Sequence, residues 1–188
     1  GEMSSGTFSF YRFYERRARR LLPALFVVLI VCLPFAWQWM LAKEMTSFSA
    51  SLFSTATFLS NFYFLSQVDY FAANAEMQPL LHTWSLAVEE QYYLLFPPVL
   101  LVVYNLWKMK AAWLVATVTI LSFFIAEYAL YAGAERSFFF TGSRIWEIGV
   151  GSLTAFLIIK RGVVSNNGLA LLGLVAIWIT FIFYDKNT

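Results

Sequence analysis

One stretch of the sequence decides both the fold and the chemistry, and it reads Leu81-His82-Thr83-Trp84-Ser85-Leu86-Ala87-Val88-Glu89-Glu90-Gln91-Tyr92-Tyr93. The stretch holds the only histidine of the chain and two adjacent carboxylates, and the apolar run 94–103 follows at once. If it is helical, His82, Ser85, Glu89 and Tyr93 lie within a stripe of roughly 80°, and Glu90 points to one side of that stripe.

A carboxylate at bilayer depth is costly, so it usually faces protein or water and has a task. This argument predicts His82, Ser85 and Glu89 as residues of a functional site. The alternative is the start of a helix at a membrane interface. In that case Ser85 and Glu89 are capping residues and His82 is a hydrated loop residue.

The composition of the chain is that of a membrane protein. Of its 188 residues, 60% are hydrophobic and 13% are charged, and the mean hydropathy is +0.66. Soluble domains carry about 25% charged residues. The net charge of +2 does not suggest a nucleic-acid partner, and a single cysteine excludes an internal disulfide. We therefore predict an all-α integral membrane protein.

Several apolar runs are long enough to cross a hydrocarbon core of about 30 Å as helices. They predict a polytopic helical bundle over residues 21–184 with about six spans, at 21–41, 46–65, 84–107, 111–131, 138–159 and 168–184. The run 46–65 is rich in Ser and Thr, which suits a helix inside a bundle, and an interfacial helix is its alternative. A polar loop is expected at 66–81.

Residues 1–20 form a basic segment that contains five arginines, namely Arg12, Arg16, Arg17, Arg19 and Arg20. Their spacing indicates an amphipathic helix along a membrane interface. One interpretation is a topology signal that also attracts anionic lipid headgroups, which places residues 1–20 in the cytoplasm. The other is an anion site, because arginine makes bidentate contacts with phosphates.

A third polar cluster lies within the run 138–159, at Arg144-Ile145-Trp146-Glu147-Ile148-Gly149. Arg144 and Glu147 are three residues apart and can pair on one helix face. The pair is either a structural ion pair between helices or part of a polar site with Trp146. Asp69, Glu76 and His82 lack the spacing of metal ligands, so no metal site is expected.

Three motifs, together and in this order, resemble the acyltransferase type 3 family of bacterial integral-membrane O-acyltransferases. They are the segment 14–23, which reads YERRARRLLP, the segment 81–93, and the segment 144–149. The resemblance covers most of the chain. It implies a domain of about ten membrane helices in the bacterial inner membrane, of which this chain would supply roughly six.

The resemblance also implies the reaction and its partners. Members of the family move an acyl group, most often acetyl, from acyl-CoA to a hydroxyl of a surface or exported carbohydrate, such as O-antigen, capsule or peptidoglycan. They hold no tightly bound cofactor. The Arg-x-x-Arg motif falls on Arg16 to Arg19 or on Arg17 to Arg20 and would serve the acyl-CoA donor. Glu89 would belong to the polar site, with His82 and Ser85 near it.

One motif of the family is absent from the chain. The family carries an arginine and, eleven residues later, a histidine in its first helix, whereas the residue eleven before His82 is Phe71. We expect that motif to lie upstream of Gly1, and we expect the 188 residues alone not to transfer acyl groups. Two other classes stay open: a transporter or flippase for a glycan or lipid-linked substrate, and a non-catalytic membrane partner.

Overall fold

The computed structural model describes residues 8–71, 78–107, 111–132, 138–162 and 166–183. Within these ranges the chain forms seven α-helices and no strand, which confirms the all-α fold. The helices are α1 Phe10–Trp39, α2 Ala42–Ala56, α3 Ser60–Phe71, α4 Thr83–Trp107, α5 Ala111–Tyr131, α6 Ile145–Arg161 and α7 Asn167–Phe183. A 3₁₀ turn, Thr141–Ser143, precedes α6.

The chain divides into two compact units, residues 1–153 and residues 154–188. In the first unit, helices that follow each other in sequence pack together, α1 on α2, α2 on α3, α3 on α4 and α4 on α5. In the second unit, the described side chains of α7 are exposed, and most are Leu, Ile or Val. Exposed apolar side chains of this kind suit contact with lipid, whose tails are as apolar as leucine.

Three helical segments are long and apolar enough to cross a membrane in the described part of the chain, namely Phe10–Trp39, Thr83–Val103 and Ala112–Tyr131. They correspond to the predicted spans 21–41, 84–107 and 111–131. α6 and α7 have 17 residues each, at the lower limit of the range of about 17–25 residues for a spanning helix. Among the described residues, three helices thus meet the criteria of both length and hydropathy for a span, where the sequence predicts about six.

The basic segment and the first span are parts of one helix. α1 runs for 30 residues without a break, and the amide of Arg12 donates to Ser9 Oγ at its start (3.4 Å). The arginines at 12–20 are therefore helical, as their spacing indicated, and continuous with the first span; a position along the membrane interface stays a prediction. At a rise of about 1.5 Å per residue, α1 is about 45 Å long. Its arginines lie in the N-terminal part of the helix, before the apolar run begins.

The predicted span 46–65 is wrong, because the helix stops inside it. The amide of Leu59 donates to the Ser54 carbonyl (2.7 Å), and the amide of Phe58 donates to the Thr55 carbonyl (3.1 Å). These two bonds form a Schellman motif, in which the residue after the cap adopts a left-handed conformation. Phe58 does so with φ +56°. The result is two short helices, α2 with 15 residues and α3 with 12.

One buried apolar cluster of the first unit lies between α1, α2 and the turn before α4. It contains Leu25, Leu29, Ala36, Phe48 and Leu80. The predicted loop 66–81 is shorter than expected, because α3 continues to Phe71. Residues 72–77, which include Glu76, lie outside the described residues.

Candidate functional site

An arginine of α1 binds both carboxylates of α4. Arg17 Nε donates to Glu90 Oε1 and Oε2 at 2.9 and 3.0 Å, and Arg17 Nη2 donates to Glu90 Oε1 at 2.6 Å. Arg17 Nη2 also donates to Glu89 Oε1 at 3.0 Å. Charge-assisted bonds with two donors on one carboxylate are among the strongest that proteins make, and they fix orientation as well as distance.

A tyrosine covers the open face of the same guanidinium. Arg17 Cζ lies 3.3 Å from the centre of the Tyr93 ring, a cation–π contact. One turn away, the Tyr14 hydroxyl donates to the Leu94 carbonyl (2.7 Å). Moving from Tyr14 to Arg17 on α1 corresponds to moving back from Leu94 to Glu90 on α4, so the two helices run antiparallel here. We call Arg17, Glu89, Glu90 and Tyr93 the Arg17 cluster.

The two carboxylates of the Arg17 cluster differ in exposure. The side chain of Glu90 is 13% exposed and that of Glu89 is 47% exposed. One guanidinium faces two carboxylates, so the cluster has a formal charge of −1. The structure gives Glu89 Oε2 no hydrogen-bond partner among the described residues. Glu89 therefore has an oxygen available to a ligand, while Glu90 is committed to Arg17.

Glu90 is the residue that the sequence argument missed. The helical stripe put it to one side, yet it makes the closest contacts with Arg17. Glu90 lies one turn after Ala87, which the structure buries, so Glu90 is on the packed side of α4. The partner, Arg17, lies 73 residues away in the chain, so its position followed from no local pattern.

His82 and Ser85 lie at the start of α4, about two turns and one turn before Glu89 of the Arg17 cluster. Both are exposed, His82 precedes the helix, and the Ser85 hydroxyl donates to the His82 carbonyl (3.1 Å). Seven residues of helix between His82 and Glu89 correspond to about 10 Å along the axis. No hydrogen bond or ion pair in the described part of the chain joins either side chain to Glu89. α4 thus keeps Ser85 one turn before Glu89 on the same helix face, as the stripe predicted, and His82 precedes the helix; a shared role for the three residues stays a prediction.

The other arginines of the basic segment face outward. Arg12, Arg16 and Arg20, each four residues from the next, are exposed. Arg19 is also exposed and pairs with Glu15 (2.9 Å) within α1. Of the four arginines predicted to hold the donor, Arg17 is paired with the carboxylates of Glu89 and Glu90. Arg16 and Arg20 have no ion-pair partner among the described residues.

Next to Glu90, a ring of three polar side chains joins α3, α4 and the 3₁₀ turn. Asn61 Nδ2 donates to Thr141 Oγ1 (2.9 Å), Thr141 Oγ1 donates to Gln91 Oε1 (2.7 Å), and Gln91 Nε2 donates to Asn61 Oδ1 (2.8 Å). Gln91 Nε2 also donates to the carbonyl of Phe58 (2.8 Å). Asn61 is fully buried. Closed networks of this kind rigidify and specify a core, and this one holds the strained Phe58 turn against α4.

The third predicted cluster forms as its spacing indicated. Arg144 Nη1 lies 2.6 Å from Glu147 Oε1, which confirms the expected pairing. The guanidinium also lies over the rings of Phe138 and Trp84, at 4.5 and 5.6 Å from their centres. Trp146 points elsewhere, because its ring contacts Phe123 (5.4 Å between centres) on α5. The Arg144 pair thus packs against the start of α4, and Trp146 is a packing residue.

Two cavities lie beside α4. The first, about 310 Å³, is lined by Arg17, Glu90, Tyr14 and Tyr93, and we call it the Arg17 cavity. The second, about 460 Å³, is lined almost entirely by apolar side chains of α3, α4, α5 and α6, and we call it the apolar cavity. Within the described ranges, no three His, Cys, Asp or Glu side chains form a group that could bind a metal ion.

The fold and the site together define an all-α protein with membrane-spanning candidate helices, in which an arginine and two carboxylates join the first and fourth helices. Comparison with known proteins adds a relationship. The chain is 31% identical over 163 residues to an uncharacterized protein of Haemophilus influenzae, covering 82% of this chain and 66% of that protein. It is 32% identical over 152 residues to O-acetyltransferase OatA of Staphylococcus aureus, covering 77% of this chain and 24% of OatA.

These relatives and the apolar helices indicate a membrane protein related to O-acetyltransferases. The chain spans 66% of the H. influenzae protein and about a quarter (24%) of OatA. No protein-family model matches the chain, and no solved structure matches it.

Proposed function

We propose that the chain is the membrane part of an acyltransferase of the type 3 family. In this proposal the protein moves an acetyl group, or another short acyl group, from acyl-CoA to a hydroxyl of a cell-surface or exported carbohydrate. The observation that carries the proposal is the Arg17 cluster, of which Arg17, Glu90 and Tyr93 line a cavity between α1 and α4. Charged groups between apolar helices are costly and mark functional sites.

The reaction requires that a sugar hydroxyl attacks the thioester carbonyl and gives up its proton. The C–S bond then breaks, and the CoA thiolate takes a proton as it leaves. A positioned base must accept the hydroxyl proton, and donors must stabilise the developing oxyanion. The resemblance assigns the base to a histidine of the first-helix motif. In this chain, Glu89 Oε2 is the free carboxylate oxygen that we propose orients the reacting groups.

The Arg17–Glu90 pair has a different task in this proposal. It holds α1 against α4, fixes the position of Glu89 and keeps the Arg17 cavity open. Two exposed arginines of α1, Arg16 and Arg20, then bind the phosphates of the acyl-CoA donor, since each has its guanidinium free to make bidentate contacts. This assignment divides the basic segment between a structural arginine and donor-binding arginines.

Coenzyme A binding tests the division. In the intact protein, purified in detergent, Arg16→Ala and Arg20→Ala should each weaken CoA binding about tenfold, because a bond between a charged pair contributes about 1.5–3 kcal/mol. Lys43→Ala is the matched control, because Lys43 is an exposed cation at the start of α2. Equal affinities in all three variants would favour the topology signal. Acetylation of a glycan, followed by mass spectrometry, tests the reaction itself.

A further inference from the structure

The Arg17 cavity and the apolar cavity share two lining residues, Leu59 and Gln91. These two side chains separate a charged space from an apolar one. The apolar cavity, at about 460 Å³, falls in the range of about 300–1,000 Å³ that small-molecule pockets occupy. A ligand group that entered the Arg17 cavity would therefore reach an apolar space directly behind this wall.

Gln91 is the fixed half of the wall. Its Nε2 donates to the Phe58 carbonyl and to Asn61 Oδ1, and its Oε1 accepts from Thr141 Oγ1. Both amide protons and the carbonyl oxygen are thus in use. Moving this side chain aside would break three hydrogen bonds, and unmade bonds of buried polar groups are expensive. Gln91 therefore stays in place when a ligand binds.

Leu59 is the replaceable half of the wall. Its backbone is held by the Schellman bond to Ser54 (2.7 Å), but its side chain is 47% exposed and has no polar group to lose. The size of the side chain at position 59 can change without disturbing the polar ring. The opening between the two cavities is therefore set by residue 59.

We propose that Leu59 sets the length of the acyl group that the protein transfers. This inference rests on the proposed function, because it takes the acyl donor into the Arg17 cavity. An acetyl group fits in front of the wall, whereas a longer acyl chain must continue past Leu59. The apolar cavity has the chemistry to hold such a chain, and each buried methylene is worth about a fourfold gain in binding.

The test compares transfer from acetyl-CoA, butyryl-CoA and hexanoyl-CoA by the intact protein in membranes, with acylated glycan measured by mass spectrometry. Leu59→Ala should raise the ratio of hexanoyl to acetyl transfer at least about tenfold, since two or more methylenes gain an apolar site. Leu59→Phe should lower the ratio of butyryl to acetyl transfer. Leu95→Ala is the matched control, because Leu95 lines the apolar cavity only and its replacement leaves the wall intact.

Unchanged ratios in both Leu59 variants would overturn the inference, and so would an equal change in Leu95→Ala. Loss of all transfer by both variants, at the wild-type protein level, would overturn it as well, because a wall is not needed for the chemistry. Absence of acetyl transfer by the wild-type protein is a different result. It would count against the proposed function and not against the position of the wall.

Discussion

Arg17 Nη2 lies 2.6 Å from Glu90 Oε1, and this bond joins α1 to α4 across 73 residues of sequence. The same guanidinium reaches Glu89 at 3.0 Å. Adjacent carboxylates on one helix thus share one cation, but they share it unequally. Glu90 receives three of the hydrogen bonds and Glu89 receives one. The two residues should therefore respond differently to the same substitution.

Glu90→Gln should lower stability more than Glu89→Gln. The amide of glutamine loses the charge that faces the half-buried guanidinium, which costs about 2 kcal/mol for a charge-assisted bond. Glu89 is more exposed, so the same change there should cost less than about 1 kcal/mol. Thermal unfolding of the two variants in detergent measures the difference.

Activity should show the opposite order. When acetylation is normalised to folded protein, Glu89→Gln should reduce it more than Glu90→Gln, because Glu89 has the free oxygen. A greater loss per folded molecule in Glu90→Gln would show that the paired carboxylate, and not the free one, takes part in the reaction.

Arg17→Lys should not preserve the site, although it keeps the charge. Lysine cannot offer two parallel N–H groups to Glu90, and it lacks the flat surface that stacks on Tyr93. We expect acetyl transfer to fall about tenfold to a hundredfold, as a shift of the supporting geometry of about 1 Å can do. Arg12→Lys is the comparison, since Arg12 is exposed and has no donor contact in the proposal. Equal activity in the two variants would mean that only the positive charge at position 17 matters.

The Arg144–Glu147 pair shows what the sequence could supply. Both residues lie within one turn, so the helical period alone predicts their contact, and the structure has it at 2.6 Å. The Arg17–Glu90 pair connects distant parts of the chain, and its prediction would have required the packing of α1 on α4. Local periodicity identified the right stretch of α4, but it selected Glu89 and left Glu90 aside.

The break between α2 and α3 was missed for a different reason. Helix ends of this type usually carry glycine in the left-handed position, and here the position is occupied by Phe58. A search for glycine therefore finds no stop within 46–65. The stop depends on Gln91, which holds the Phe58 carbonyl from another helix, and that contact exists only in the folded protein.

Phe58→Gly should stabilise the turn. A non-glycine residue in the left-handed region costs about 1 kcal/mol, and glycine removes that cost while keeping both Schellman bonds. Phe58→Ala is the control, since it removes the ring and retains the strain. We expect a higher unfolding temperature for Phe58→Gly than for Phe58→Ala. If the two variants melt at the same temperature, the positive φ contributes no strain.

The final prediction concerns the close approach of α5 and α6 at Gly149. A Cβ built on Gly149 would clash with Thr119 Oγ1 and lie 3.1 Å from Thr119 Cβ, whereas a Cβ on Gly151 meets nothing within 4 Å. Alanine is favoured over glycine inside a helix by about 1 kcal/mol, so Gly151→Ala should leave stability unchanged or raise it. Gly149→Ala must push Thr119 away and should cost about 1–3 kcal/mol, as overpacking does.

Thr119 identifies the cause of that cost. In the double variant Gly149→Ala with Thr119→Ala, the closest atom of the clash is gone, and part of the lost stability should return. The unfolding temperatures of the two single variants, the double variant and Gly151→Ala form the measurement. Equal destabilisation by Gly149→Ala and Gly151→Ala would contradict the close approach. If the double variant loses as much stability as the two single variants lose together, the strain does not lie at the contact with Thr119.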